Sequence, residues 1–290
     1  MMNKPIDGFF QQKELFLKKM AKAEKKGETK LILIIVANVL DPHIGKGCSQ
    51  DIHSVRNMFD KLSEHMEFNL LEMIIKGEAY SKENVDDIIE SIDPGDDDIV
   101  VFYYSGHGFR FEMEGSLKFP QVFLLPRLPS ETSGVINKNS LNLTEIFEKI
   151  KAKGARLNLV IGDCCNTLIH FQRKFSGGDN KIRTDKRPDM HINKETCKGL
   201  FCDPRASILV ASADENQFSI TDDELGSIFT FNFTDNLKIL MAAAPDSAKG
   251  LPWTKLLEQT KEKTFNLSKT YDIGGGVPGN QKAIFKIVSK

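Results

Sequence analysis

Apolar residues along this chain follow two patterns, and the order in which these alternate defines an architecture. Short runs of Val, Ile, Leu and aromatic residues bounded by turn formers occur at Leu31–Asn38, Leu70–Ile75, Asp98–Tyr104, Leu157–Gly162, Ile208–Ala213 and Ala283–Val288. Runs of this kind read as buried strands. Between them lie segments with apolar residues at three- and four-residue spacing. Asp51–His65 carries Ile52, Val55, Met58, Phe59 and Leu62 on one stripe; Ser81–Ile92 carries Val85, Ile88, Ile89 and Ile92, with Glu83 and Asn84 in its first turn. Both predict helices packed on a sheet, and further helices are predicted at Leu141–Ile150, Gly226–Met241 and Trp253–Phe265. The β-α-β-α-β order predicts an α/β fold with a mostly parallel sheet of about six strands and right-handed crossovers. Asp93-Pro94-Gly95-Asp96 is a turn, Phe109–Pro126 reads as an antiparallel hairpin around Glu114-Gly115-Ser116, and Gly274-Gly275-Gly276 is a connector.

Two segments stand apart. Phe9–Lys26 suggests a helix with Phe9, Phe16 and Met20 on one side and lysines on the other. Residues 1–29 therefore read as a basic helical extension, either docked on the domain that follows or acting as a pro-segment or membrane-surface helix, with docking favoured. His170–Pro204 is rich in Lys, Arg, Asp, Gly and Asn with almost no apolar rhythm, and a loop of that length inside a domain is usually functional or disordered.

Bulk properties narrow the classes further. With 39 basic and 40 acidic residues the formal net charge is −1, which gives no electrostatic footprint for nucleic acid. No apolar run approaches the length of a membrane span. The lysines around Phe16 interrupt any secretory pattern, so a cytoplasmic location is expected. Five cysteines, two of them adjacent, do not form a disulfide framework and point to a reducing compartment, although Cys197 and Cys202 lie close enough in sequence to pair within a loop.

The chemistry sits just past two of the predicted strands. Tyr104-Ser105-Gly106-His107-Gly108 ends one, and Asp163-Cys164-Cys165-Asn166 ends the other. Loops at the carboxyl ends of parallel strands are where ligands bind, and adjacent strands lie only about 5 Å apart. Neighbouring strands would bring the imidazole and a thiol together, the minimum for a thiolate nucleophile. Alternation of side chains along an extended chain turns Ser105 with His107, and Asp163 with Cys165, towards one cleft, while Cys164 points away as a packing residue. Cys165 is thus the predicted nucleophile and His107 its base. The backbone N–H groups of Gly108 and Cys165 are the best-placed donors for an oxyanion, and no third catalytic member is evident.

Taken together, Gly47-Cys48-Ser49-Gln50-Asp51 after the first strand, Ser105-Gly106-His107-Gly108, and Asp163-Cys164-Cys165 resemble the caspase-type clan of cysteine peptidases, most closely its metacaspase and bacterial caspase-like branch. Ile208–Ala213 followed by Gly226-Ser227-Ile228-Phe229-Thr230 resembles the small-subunit region of that family. The resemblance covers about residues 30 to 245. It implies a three-layer α/β/α sandwich and divides the domain, residues 30–290, into a large-subunit-like part (30–170), a linker (171–205) and a small-subunit-like part (206–290). It places Cys48, Asp51, Ser105 and Asp163 in the pocket for the substrate side chain just before the scissile bond. Two carboxylates there suit Arg or Lys and reject Asp, so protein or peptide substrates cut after basic residues are expected; helix capping is the alternative role for Asp51. Arg173, Lys174, Arg183, Lys186 and Arg187 in the linker are candidate self-processing sites. The Asn166-Thr167-Leu168 that follows the nucleophile departs from the His-Ser-Gly usual in metacaspases. Leu117–Glu131 lacks the acidic cluster of a calcium site, so no cofactor or metal is expected. A monomer is favoured, and the remaining alternatives are a catalytically silent caspase-like interaction module or an unrelated flavodoxin-like domain or hydrolase.

Overall fold

Six strands form one sheet in the computed structural model, which describes residues 6–111, 118–127, 133–168, 192–245 and 252–289. The chain opens with α1 (Ile6–Lys26), β1 (Lys30–Ala37), α2 (Gly45–Met66), β2 (Asn69–Lys76), α3 (Lys82–Ser91) and β3 (Ile99–Ser105). A small second sheet follows from β4 (Gly108–Phe109), β5 (Gln121–Phe123) and β6 (Ser140–Asn142), with α4 (Ser133–Lys138) and α5 (Leu143–Ala152). Then come β7 (Leu157–Asp163), α6 (Lys194–Cys197), β8 (Ala206–Ala211), the short pair β9 (Thr221–Asp222) and β10 (Gly226–Ser227), α7 (Ile228–Ala242), α8 (Pro252–Ser268) and β11 (Ile284–Ser289). The main sheet has the order β11-β8-β7-β3-β1-β2, parallel except for β11. Because the chain runs from β1 outward to β2 and returns to β3 on the other side, the order reverses between β1 and β3, the position where open α/β sheets bind ligands.

The unbroken apolar runs are explained by cores on both faces. Leu31, Leu33 and Ile35 of β1 pack with Ile99, Val101 and Tyr103 of β3 against α2, α7 and α8. Ile32, Ile34 and Val36 pack with Val100, Phe102 and Tyr104 against α1, α3 and α5. The sandwich therefore has three layers, as the resemblance implies. Phe9, Phe16 and Met20 of α1 are buried in the second core, so the apolar side of this helix is docked on the domain. Each such side chain contributes about 1.5–3 kcal/mol, and the lysine-rich side faces outward.

Several boundaries differ from the sequence reading for identifiable reasons. The helix predicted from Asp51 begins at Gly45. Its first turn contains Gly45 and Gly47, poor helix formers that are needed for space: a Cβ on Gly45 would lie 2.5 Å from the Val39 carbonyl oxygen, and one on Gly47 would lie 2.0 Å from Thr221 Cγ2. The helix predicted from Leu141 starts only at Leu143, because Ser140–Asn142 pairs with β5. Gly226-Ser227 likewise belongs to β10 and not to α7. The hairpin after β3 is present as the antiparallel β4–β5 pair; its tip lies outside the described residues. The long polar loop is interrupted: residues 194–202 are helical, held by buried Cys197, Leu200 and Phe201, with Phe201 edge-on to Trp253 at 5.6 Å. In this helical segment Cys197 and Cys202 are both free thiols and do not pair.

Candidate active site

β3 and β7 are hydrogen-bonded neighbours whose register ends with Ser105 opposite Asp163. The chain stays paired beyond that point. Gly106 N–H donates to the Asp163 carbonyl (3.3 Å) and Arg110 N–H to the Thr167 carbonyl (2.8 Å). His107 and Cys165 each lie two residues past the matched pair, on adjacent loops of one rim. Gly108 lets those loops approach so closely, since a Cβ there would sit 2.4 Å from Cys164 Sγ and 2.5 Å from the Cys165 carbonyl oxygen. The backbone of His107 is anchored from behind: its carbonyl accepts from Phe123 N–H (3.0 Å) and from the buried Tyr104 hydroxyl (2.7 Å).

The imidazole has a partner that the sequence reading missed. His107 Nε2 lies 2.9 Å from Asp41 Oδ2. Asp41 follows β1, the strand next to β3, and its other oxygen accepts the backbone N–H groups of His43 (2.8 Å) and Ile44 (3.1 Å). Burial pushes the Asp41 carboxyl up, but the hydrogen bonds from His107 and from these two amides outweigh it and hold the group below the usual carboxylate value. The available signal was positional: Asp41 stands at the carboxyl end of a central strand beside the strand-order reversal, where polar residues serve ligands.

Alternation sorts the two thiols as expected. Cys164 is buried in the second core among the side chains facing α5. Cys165 is partly buried on the other side, its Sγ accepting Ser219 N–H at 3.4 Å and lying 3.8 Å from the Ser219 carbonyl. Burial raises the Cys165 thiol to about 11, opposed by the Ser219 amide and reinforced by the nearby charge of Asp163.

The four residues assigned to the specificity pocket gather on the α2/α7 side of the rim. Asp51 is buried; its carboxylate accepts from Ser105 Oγ (2.7 Å) and from Ser227 N–H (2.8 Å). It stands in the second turn of α2 and so does not cap its own helix; it bonds instead to the backbone leading into α7. Asp163 accepts from Ser219 Oγ (2.7 Å) and Thr230 Oγ1 (2.6 Å). Burial first, then the charge of Asp163, pushes the Asp51 carboxyl well up, the behaviour of two acids sharing one site. The Cys48 thiol is buried beside Asp51 and Ser105 and is raised by that burial and by Asp51. Ser219, Ser227 and Thr230 hydrogen-bond the Asp51 and Asp163 carboxylates and were not among the predicted pocket residues, although Ser227 and Thr230 stand in the segment that resembles the small-subunit region.

Asn166, the residue after Cys165, ties the rim together. Its backbone pairs with Gln217 and Asn216, and its side-chain amide donates to the Lys118 and Ala213 carbonyls. Beyond it opens a mainly apolar cavity of about 420 Å³ lined by Thr167, Leu168, Phe218, Ile273 and Val277. Among the described residues no group of three or more His, Cys, Asp or Glu side chains is placed to hold a metal ion. Part of Leu117–Glu131 lies outside them, as do Arg173, Lys174, Arg183, Lys186 and Arg187.

A family model described as the caspase domain of Peptidase C14 matches residues 29–265. The chain belongs to the caspase family. Its caspase domain thus lies within a family of cysteine peptidases, for which proteins are the substrates. Among solved structures it is similar to caspase-1 from Spodoptera frugiperda, with 13% identity over 90% of this chain and 86% of the other and a TM-score of 0.51, a likeness of fold. No curated protein sequence matches it. No helix among the described residues of this caspase-family chain is long and apolar enough to cross a membrane.

Proposed function

We propose that this chain is a cysteine endopeptidase that uses His107 and Cys165 to cleave peptide bonds after Arg or Lys. The observation that carries this reading is convergence: the imidazole loop, the thiol loop and the Asp51/Asp163 pair occupy one rim of the sheet, beside the strand-order reversal. In this mechanism His107 takes the proton from Cys165 as sulfur attacks the scissile carbonyl, and the oxyanion is met by the backbone N–H groups of Gly108 and Cys165. His107 then protonates the leaving amine, and water hydrolyses the thioester.

Cation preference follows from the acid pair. An incoming guanidinium or ammonium supplies the positive charge that two adjoining carboxylates lack, and it favours their ionised forms. An aspartate substrate would add a third acid to the same desolvated space. The same preference makes Arg173, Lys174, Arg183, Lys186 and Arg187 chemically suitable as self-processing sites.

Fluorogenic peptides ending in Arg, Lys or Asp test the proposal directly. Turnover confined to the basic peptides is expected; preference for aspartate overturns the pocket assignment, and no turnover with any of them, with or without calcium, favours a silent interaction module. Intact-mass analysis beside Cys165→Ala reports on self-cleavage, which is expected only in the unsubstituted protein.

A further inference from the structure

We propose that Asp41 is the positioning residue of this site, fixing which ring nitrogen of His107 carries the proton. The inference rests on His107 acting towards Cys165. Its basis is the way the two carboxylate oxygens divide their work. Oδ1 accepts two backbone N–H groups, from His43 and Ile44, and the Asp41 carbonyl accepts Gly45 N–H, so one end of the residue shapes the turn into α2. Oδ2 is 2.9 Å from His107 Nε2. Asp41 is buried, with a side chain only 4% exposed, and its carboxylate form is favoured there. An ionised carboxylate only accepts hydrogen bonds, so Nε2 must carry hydrogen.

The neutral imidazole therefore has its lone pair on Nδ1. When Cys165 gives up its proton, the S–H bond breaks, the N–H bond forms at Nδ1, and the resulting imidazolium has N–H groups on both nitrogens. Nε2–H remains bonded to a carboxylate that stabilises the new charge. This division of roles matches the acid–base–nucleophile arrangement of serine peptidases, reached with an aspartate from the neighbouring strand's loop.

Asp41→Asn separates the two functions. An Asn Oδ1 retains the amides of His43 and Ile44, whereas its NH₂ faces Nε2 and forces that nitrogen to accept, leaving hydrogen on Nδ1. Imidazole ¹⁵N spectroscopy of the full chain, with His107→Gln used for assignment, should show the Nε2–H tautomer in the parent protein and the opposite tautomer in Asp41→Asn. In the variant, peptidase kcat should fall by about 10²–10⁴-fold with KM changed less than threefold and an unaltered melting temperature. The rate of Cys165 alkylation by iodoacetamide near neutral pH should fall as well. An Nδ1–H tautomer in the parent protein overturns the assignment without recourse to any variant, as does an Asp41→Asn protein with unchanged tautomer and unchanged alkylation. Tautomer and alkylation are read without peptide turnover: if they behave as expected while no peptide is cleaved, Asp41 keeps its role and the peptidase reading fails.

Discussion

Gly108→Ala offers a sharp test of the close approach between the two loops. The added methyl would stand 2.4 Å from Cys164 Sγ, 2.7 Å from Cys164 Cβ and 2.5 Å from the Cys165 carbonyl oxygen. Comfortable carbon contacts are about 3.5–4.0 Å, so the loops must separate by about 1 Å. Little of that can be absorbed cheaply, because Cys164 is packed into a core and Cys165 lies only two residues past the end of β7. Overpacking of this kind costs about 1–3 kcal/mol, equivalent to a fall in melting temperature of roughly 2–10 °C for a domain of this size. Displacing His107 from Cys165 by that distance should lower kcat/KM by about 10²-fold. The assay is steady-state cleavage of an Arg peptide normalised by active-site titration, run beside a thermal melt. Gly134→Ala is the control, since no heavy atom lies within 4 Å of its added Cβ, and it should leave both readings unchanged or raise the melting point slightly. Removing the Cys164 sulfur from Gly108→Ala relieves one of three contacts, so rescue should be partial. A Gly108→Ala enzyme with kcat/KM within threefold of the parent and an unshifted melt would refute the argument that this glycine sets the distance between base and thiol.

The other predictions concern the thiols and the acid pair. Cys165→Ala should abolish turnover, whereas Cys164→Ala should keep kcat within a few-fold and cost about 1 kcal/mol of stability in a denaturant melt; the reverse pattern would mean that the wrong sulfur was chosen. Asp51→Asn preserves acceptance from Ser227 N–H and should lower kcat/KM for Arg peptides by about 10²-fold, the scale of losing one partner of a desolvated charge pair. The same variant should flatten the pH dependence of stability. Burial and Asp163 raise the Asp51 carboxyl in the folded chain, so its contribution is fully present below the unfolded value of about 3.9 and is lost as pH climbs through the raised folded value. Urea midpoints measured between pH 4 and 9 would show this, and a parent protein as flat as the variant would contradict it. Finally, a small guanidinium ligand in the acid pocket should accelerate iodoacetamide alkylation of Cys165, read by mass spectrometry; slower or unchanged labelling at saturation would count against electrostatic coupling between pocket and thiol.

The strands, their parallel order and the loops carrying His107 and Cys165 were legible because the signals are local. A run such as Leu31–Ala37 needs two apolar faces to be stable, and period-two alternation alone separates Cys164 from Cys165. What escaped depends on contacts between distant segments. The first turn of α2 was hidden because Gly45 and Gly47 violate helix propensity to make room for Val39 and Thr221. Asp41 was hidden because its meaning comes from His107, 66 residues away. Ser219 and Thr230 were hidden because they complete a site whose carboxylates come from α2 and β7. The helical turn over residues 194–202 was obscured by its polar surroundings, although Cys197, Leu200 and Phe201 carry the right spacing.

Two aspartates act on the proposed reaction in opposite senses, and their positions explain how reactivity and selectivity are joined. Asp41 stands behind the imidazole and, in the proposed role, orients it so that Nδ1 is left to take the proton from sulfur. Burial, reinforced by the charge of Asp163 beside the sulfur and only partly opposed by the Ser219 amide, raises the thiol to about 11. At neutral pH the unaided thiolate is then scarce. A basic substrate side chain entering beside Asp51 and Asp163 removes part of that opposition, because the charge that repels a thiolate is neutralised by the cation it was selected to bind. An uncharged or acidic side chain offers no such relief. On the proposed reading, discrimination for Arg and Lys should therefore be expressed in kcat as well as in KM, with the pocket proposed to recognise the substrate also licensing the proposed nucleophile.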